Sequence, residues 1–166
     1  MRAAEHARCR ELLERWRARS AAWFLTWGIC YEFLRVVTHP RVLRNPWTTR
    51  EAHEFVDTIV ESPGLEMLIQ THRHGGVLRD VVRKVLVIAG NLWHNTETAA
   101  LMREHGERRI CTRDTDVHRC LFLEPVDPMV GELLLGADKD FLMLTRRLEI
   151  SEAFITHHGH WKGIFR

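Results

Sequence analysis

The stretch that decides the fold is Ala22-Trp23-Phe24-Leu25-Thr26-Trp27, which is followed at once by residues 28–38. The first six residues form a short apolar run, and its length and aromatic content favour a buried β-strand. The residues after it place apolar side chains at helical spacing. Pro40 ends this helix, because the residue before a proline is pushed out of helical backbone space. The sequence therefore predicts a strand that runs directly into a helix.

The same alternation continues on both sides of this unit. We predict helices at 4–19, after Thr48 or Thr49, at 72–88 and at 95–105, and strands at 65–69, 109–112 and 121–126. Short apolar strands that alternate with longer helices are typical of an α/β domain with a largely parallel sheet. Ligand sites in such folds lie at the carboxyl ends of the strands.

Composition and charge exclude several classes of protein. The chain has 166 residues, of which 45% are hydrophobic, and this suits one domain with a sizeable core. The net charge of +2 is too small to establish nucleic-acid binding. No apolar run approaches the ~20 residues that cross a bilayer, and the N-terminus has no apolar signal segment. The absence of both segments predicts a cytoplasmic protein without membrane association. No pair among the four cysteines has C-x-x-C spacing, and we predict that they are reduced.

The sharpest chemical signal is the acidic pair Asp114 and Asp116, which follows the predicted strand 109–112. Two carboxylates two residues apart can share a divalent cation, and Mg²⁺ prefers a few carboxylates with water. The alternative is a turn, because aspartate commonly bonds its own backbone there. Both interpretations stay open on spacing alone.

Three other polar residues are candidates for the same site. Glu32 lies in an apolar helix, where a carboxylate is costly unless it is paired or bound to a metal, or else it marks the polar edge of that helix. Asn95 is interpreted as the N-cap of the helix 95–105, and Glu97 as an acid in its first turn. Ligand roles for Asn95 and Glu97 are the weaker alternatives.

Three ordered blocks resemble PIN domains, in particular the VapC-like toxins of bacterial toxin–antitoxin pairs. Residues 31–42, YEFLRVVTHPRV, are similar to the family block EFLRVVTHPRV. Residues 90–106, GNLWHNTETAALMREHG, are similar to GNLxHDAHTAALxxEHG. Residues 110–119, ICTRDTDVHR, with Asp127-Pro128-Met129 beyond them, resemble the block IxTxDxDFHRF. The resemblance covers about residues 5–129.

The resemblance implies a fold, an activity and partners. The fold would be a PIN-like three-layer α/β/α domain with a central, largely parallel sheet. The activity would be that of an endoribonuclease that holds Mg²⁺ or Mn²⁺ on a cluster of acids and hydrolyses RNA phosphodiesters. By motif match, Glu32, Asp114 and Asp116 take the positions of catalytic and metal-binding acids. RNA is the implied substrate, a cognate antitoxin the implied partner, and a homodimer the implied assembly.

Two departures from the family pattern bear on activity. The family begins with a central strand that carries an acid in a VDxNxLxY block, and this chain begins at what looks like the following helix, so we expect that strand to be absent. The acid of the HDAH block is Asn95 here. Glu97 lies about 200° further around a helix, so it does not simply substitute. We therefore expect an impaired metal site.

The tail divides from the body at about residue 130. We predict a PIN-like domain at 1–129 and a C-terminal extension at 130–166, in which residues around Asp138 to His157 weakly resemble the last third of a second PIN domain. An unrelated amphipathic helix explains the tail equally well. Three hypotheses follow: a VapC-type ribonuclease, a non-catalytic module that binds an antitoxin or RNA, and a truncated gene product.

Overall fold

The computed structural model describes residues 2–18, 22–85, 88–90, 92–130 and 142–143. Its helices are α1 (Arg2–Arg17), α2 (Trp27–Val37), α3 (Thr49–Val60), α4 (His74–Lys84) and α5 (Leu92–His105). Its strands are β1 (Trp23–Thr26), β2 (Leu65–Leu68), β3 (Arg109–Cys111), β4 (Glu124–Val126) and β5 (Leu142–Met143). A short 3₁₀ helix, Thr115–Arg119, lies between β3 and β4.

The strands form one sheet in the order β2-β1-β5-β3-β4. Every neighbouring pair in this sheet runs parallel. All of β1 is buried, as expected for a parallel strand covered on both faces. The predicted α/β class with parallel strands is confirmed, whereas the three-layer PIN-like arrangement stays a prediction.

Strand β1 runs into α2 without a loop, as the sequence predicts. Thr26 is both the last residue of the strand and the N-cap of the helix. Its side-chain hydroxyl accepts a hydrogen bond from the backbone N–H of Ile29 at 3.2 Å, which satisfies one of the donors at the start of the helix. This junction fixes the direction in which α2 leaves the carboxyl end of the sheet.

Helix α3 begins with a capping box and packs on α2 through aromatic rings. Thr48, one of the two predicted caps, accepts from the backbone of Glu51, whose side chain bonds back to Thr48. The ring centroids of Phe33 and Phe55 lie 5.0 Å apart, and Trp47 meets Phe33 edge-on at 5.9 Å. These contacts hold α2 against the body of the domain.

Three element bounds differ from the predictions by three residues or more, and the others by one or two. Helix α4 ends at Lys84 instead of 88, because the β-branched Val85 adopts an extended backbone there. Strand β4 begins at Glu124 instead of 121, because the backbone turns between Cys120 and Leu123 and leaves Leu121 exposed. Helix α5 begins at Leu92 instead of 95, and this changes the role of Asn95.

Strand β5 comes from the segment that the sequence assigns to a C-terminal extension. It lies between β1 and β3, opposite Phe24 on one side and Ile110 on the other. The extension's candidate residues Asp138 and His157 lie outside the described residues. The division at residue 130, the absence of a first strand and the likeness of the tail to a second domain stay predictions.

Within the described part of the chain, no helix is long and apolar enough to cross a bilayer. The thiols of Cys30, Cys111 and Cys120 are buried, as expected of cysteines that act as small apolar groups.

Candidate active site at the carboxyl edge of the sheet

Helix α5 lies beside the carboxyl ends of two strands. The strands of a parallel sheet end at the same edge, so the residues after β1 and those after β3 face the same side of the molecule. Asn95 on α5 contacts Asp114, which follows β3. Glu97, two residues after Asn95, and His94, one residue before it, lie near Gly28, which follows β1. This edge therefore carries four of the five predicted site residues: Asn95 and Glu97 on α5, and Asp114 and Asp116 after β3.

Asp114 is a buried carboxylate held by several hydrogen bonds. The residue is 5% exposed, and its Oδ1 accepts from the backbone N–H of Asp116 at 3.0 Å, which makes it the N-cap of the 3₁₀ helix. Its own N–H donates to Thr112 Oγ1 at 2.9 Å. The turn that the sequence offered as an alternative is therefore present. It leaves Oδ2 to face α5.

Asn95 is the residue that meets this second oxygen. Its Nδ2 donates to Asp114 Oδ2 at 3.2 Å, and the residue is only 6% exposed. The interpretation of Asn95 as an N-cap is wrong, because α5 begins at Leu92 and Asn95 lies within the helix. For the same reason Glu97 is not in the first turn. The sequence missed the true start because the apolar Leu92 and Trp93 give no capping signal.

Glu32 lies on α2 and is held by an arginine of its own helix. Its side chain is 14% exposed, and Arg35 reaches it with Nε at 2.8 Å and Nη2 at 2.5 Å. The hydrogen bond and charge of Glu32 raise the pKa of Arg35 above its ordinary value. The Glu32 carboxylate is thus neutralised locally by a cation spaced three residues away.

Asp116 follows the same pattern. Arg119 Nε lies 3.3 Å from its Oδ1, and both side chains are nearly half exposed. An exposed pair of this kind is worth little in stability, about 0–1 kcal/mol. It nevertheless places a guanidinium beside the second candidate acid of this loop.

Glu97 points to a different neighbour from Asn95. A Cβ atom built on Gly28 would lie 3.6 Å from Glu97 Oε2 and 3.9 Å from His94 Nδ1. These side chains therefore lie against the start of α2, whereas Asn95 faces the loop after β3. The different directions agree with the expectation that Glu97 does not take over the position of the missing acid.

The arrangement of these side chains decides what they can bind. Carboxylates are the correct kind of donor for Mg²⁺ or Mn²⁺. Within the described residues, however, no three His, Cys, Asp or Glu side chains are grouped so that they could hold a metal ion. Each of Glu32, Asp114 and Asp116 instead accepts from a donor of its own. Their assignment as metal ligands stays a prediction.

A further buried acid, at the end of α5, was not predicted from the sequence. Glu104, at the end of α5, accepts hydrogen bonds from the amide N–H of Thr71 at 2.8 Å and from its hydroxyl, and His74 Nδ1 lies 2.8 Å away. Burial raises the pKa of Glu104, but the bonds from Thr71 and His74 outweigh it and lower the pKa from 4.5 to about 2. This cluster joins α5 to the segment between β2 and α4. No local pattern in the sequence points to it, because the partners lie 30 to 33 residues apart.

Exposed aromatic side chains accompany this edge of the sheet. Trp27 and Tyr31, one turn apart on α2, are 44% and 63% exposed, and their ring centroids lie 6.1 Å apart. Trp93, in the first turn of α5, is 50% exposed. Large aromatic groups left in solvent on α2 and α5 are candidates for contact with a ligand.

Comparison with known proteins identifies the family. No protein-family model matches the chain. Ribonuclease VapC48 of Mycobacterium tuberculosis, in strains CDC 1551 and H37Rv, is 30% identical over 126 residues, which are 76% of this chain and 86% of that protein. Ribonuclease VapC33 of the same strains is 30% identical over 105 residues, 63% of this chain and 72% of that protein. With the three sequence blocks and the parallel α/β sheet, these relations show that the chain belongs to the VapC-like PIN-domain family.

Proposed function

We propose that this chain is a ribonuclease of the VapC toxin type, which hydrolyses RNA phosphodiesters and is neutralised by a cognate antitoxin. The relation to two ribonucleases, each aligned over most of its length, carries the proposal. We also propose a cytoplasmic location, as the predicted reduced cysteines indicate, and a homodimer, as the family resemblance implies.

Mg²⁺ or Mn²⁺ is the proposed cofactor, with Glu32, Asp114 and Asp116 as the candidate ligands. The chemistry of the donors suits such an ion, but their arrangement does not. Arg35 occupies the Glu32 carboxylate, Arg119 lies beside Asp116, and Asn95 donates to Asp114. The residues as arranged therefore do not fit the ion, and no step of the hydrolysis is assigned to one. Impaired catalysis is part of the proposal.

RNA as the ligand is supported by the aromatic rings at the carboxyl edge of the sheet. Unpaired bases stack on exposed aromatic side chains with little regard to sequence. Trp27 and Tyr31 present two rings on one face of α2, in the same helix as Glu32. A single strand of RNA stacked on these rings would therefore lie along α2, the helix that carries Glu32.

The deciding experiment is cleavage of single-stranded RNA with Mg²⁺ or Mn²⁺ by the full chain and by Asp114→Asn. Asparagine keeps the N-cap but removes the charge. The matched control is Asp80→Asn, which changes an exposed aspartate on α4. We expect weak cleavage, as an impaired site implies, that is lost in Asp114→Asn and persists in Asp80→Asn. Cleavage that Asp114→Asn leaves unchanged would refute the site.

A non-catalytic binding module is the second candidate, and one observation favours it. The bond from Asn95 satisfies the buried oxygen of Asp114 that a metal ion would otherwise attract. On this alternative the chain binds single-stranded RNA or an antitoxin without cutting. Fluorescence anisotropy of labelled RNA in EDTA tests it. We expect Trp27→Ala to weaken RNA binding about tenfold, and Leu121→Ala, at a residue 91% exposed, to leave it unchanged.

A further inference from the structure

The contact between Asn95 and Asp114 joins two residues that are both almost fully buried. Asn95 is 6% exposed within α5, and Asp114 is 5% exposed after β3. Their side chains meet through one hydrogen bond, Nδ2 to Oδ2, at 3.2 Å. The other oxygen of Asp114 already accepts from the backbone of Asp116. The asparagine therefore supplies the side-chain donor to a carboxylate that water hardly reaches.

The chemistry of the two groups explains why an amide stands at position 95. A buried carboxylate is costly unless hydrogen bonds or opposite charges compensate it. An ionised aspartate only accepts hydrogen bonds, whereas an asparagine amide has two N–H donors. A carboxylate at position 95 could not make this bond and would place a like charge against Asp114. Two ionised carboxylates in such a pair need a cation between them or must share a proton, whereas the amide needs neither.

The position of Asn95 inside α5 indicates that its hydrogen bond to Asp114 is the reason why an asparagine occurs there. Asparagine is a poor residue for a helix interior, because its side chain competes for backbone groups. Capping does not explain Asn95, since α5 begins three residues earlier, at Leu92. Solvent exposure does not explain it either. The hydrogen-bond partner of the Asn95 side chain is the Asp114 carboxylate.

We infer that Asn95 is a positioning residue that holds the buried Asp114 carboxylate in place without a divalent cation. The amide N–H satisfies the Asp114 oxygen by a hydrogen bond, so no cation is needed between residues 95 and 114. The folded chain therefore does not depend on Mg²⁺, and a single change of the amide to a carboxylate creates that dependence. This inference stands whether or not the chain cuts RNA.

The test compares the thermal unfolding of four proteins in EDTA and in a titration with MgCl₂ alone. They are the natural chain, Asn95→Asp, Asn95→Ala and the exchanged pair Asn95→Asp with Asp114→Asn. We expect Mg²⁺ to leave the natural chain unchanged. Asn95→Asp should raise the unfolding equilibrium constant in EDTA by roughly ten- to hundredfold, and Mg²⁺ should reverse most of this change.

The exchanged pair separates this role from general damage to the core. In it, the amide of residue 114 can donate to the carboxylate of residue 95, while its carbonyl oxygen still accepts from Asp116. We expect this protein to recover stability in EDTA and to ignore Mg²⁺. Asn95→Ala, which removes the donor without adding charge, should be destabilised but also insensitive to Mg²⁺. If Asn95→Asp does not fold in EDTA, refolding on addition of Mg²⁺ supports the inference.

Three outcomes would overturn it. The first is stabilisation of the natural chain by Mg²⁺ as large as that of Asn95→Asp. The second is an exchanged pair no more stable than Asn95→Asp. The third is an Asn95→Asp protein that Mg²⁺ does not stabilise. Because none of these measurements uses RNA, a failure of the ribonuclease proposal would leave them unaffected.

Discussion

Replacement of Glu104 by glutamine should reveal how strongly α5 is held to the rest of the domain. The carboxylate side chain is fully buried and receives three contacts, from the amide and hydroxyl of Thr71 and from His74. Glutamine keeps the shape and one accepting oxygen but removes the charge, and its amino group then faces donors. Because α5 also carries Asn95, this cluster supports the helix that contacts the candidate site.

The size of the effect follows from these contacts. Hydrogen bonds to a charged acceptor are roughly twice as strong as those between neutral groups and contribute about 1.5–3 kcal/mol each. The substitution removes the negative charge that the three donors face, and the easier burial of a neutral amide offsets part of this loss. The free energy of unfolding should therefore fall by about 2–3 kcal/mol at neutral pH. Glu66→Gln, at an exposed glutamate on β2, is the control and should change it by less than about 0.5 kcal/mol.

The dependence on pH gives a second, sharper test of Glu104. Its pKa is about 2 in the folded protein against an ordinary 4.5, so its stabilisation is fully present above the ordinary value. That stabilisation is lost as the pH falls from 4.5 towards 2, because the unfolded chain takes up the proton first. Urea unfolding, followed by tryptophan fluorescence, should show the natural chain and Glu104→Gln converging over this range. A difference in stability that is constant from neutral pH to about pH 3 would refute the reasoning.

Three further expectations concern the fold. Deletion of residues 131–166 should lower the urea midpoint, because β5 joins β1 to β3 in the middle of the sheet; an unchanged midpoint would contradict the pairing. Thr48→Ala should cost about 1 kcal/mol of unfolding free energy, because the capping box of α3 is lost, while Thr49→Ala serves as the control and should cost less. Burial raises the pKa of Cys30 to about 11 and of Cys111 to about 12, so both should react with a maleimide far more slowly in the native state than in guanidinium, and equal rates would contradict this.

Elements that depend on neighbours in sequence were predicted well. The apolar run at 22–27 contains the buried strand β1, Trp23–Thr26, and Thr48 caps α3 with Glu51 in reach. Gly106, the first residue after the predicted helix 95–105, has the positive φ of 86° that this position requires. For the cap and the glycine the determining contacts lie within four residues. For β1 the strand pairs with distant residues, but the run of apolar residue types is itself the signal.

Features that depend on distant neighbours could not be predicted. Asn95 has the residue type of a cap, and only the fold shows that Asp114, 19 residues on, is its partner. The place of β5 in the middle of the sheet is equally invisible in a two-residue strand. The pairing of Glu32 with Arg35 and of Asp116 with Arg119 was within reach, however, because an acid three residues before an arginine on a helix is a recognisable pattern.

Membership of the family and the capacity to bind a metal depend on different residues in this chain. The apolar strands and helix caps that make the α/β sheet would form with or without a cation. The candidate acids are each satisfied by an arginine or an amide, so an incoming Mg²⁺ would have to displace those donors and lose part of their hydrogen bonding. A buried carboxylate must be compensated, but its partner can be either a cation or a hydrogen-bond donor. Asn95 can therefore satisfy the Asp114 carboxylate in the folded protein while the attraction of this site for a metal ion is weakened. The parallel α/β sheet can therefore form in a sequence whose candidate acids are satisfied by its own side chains.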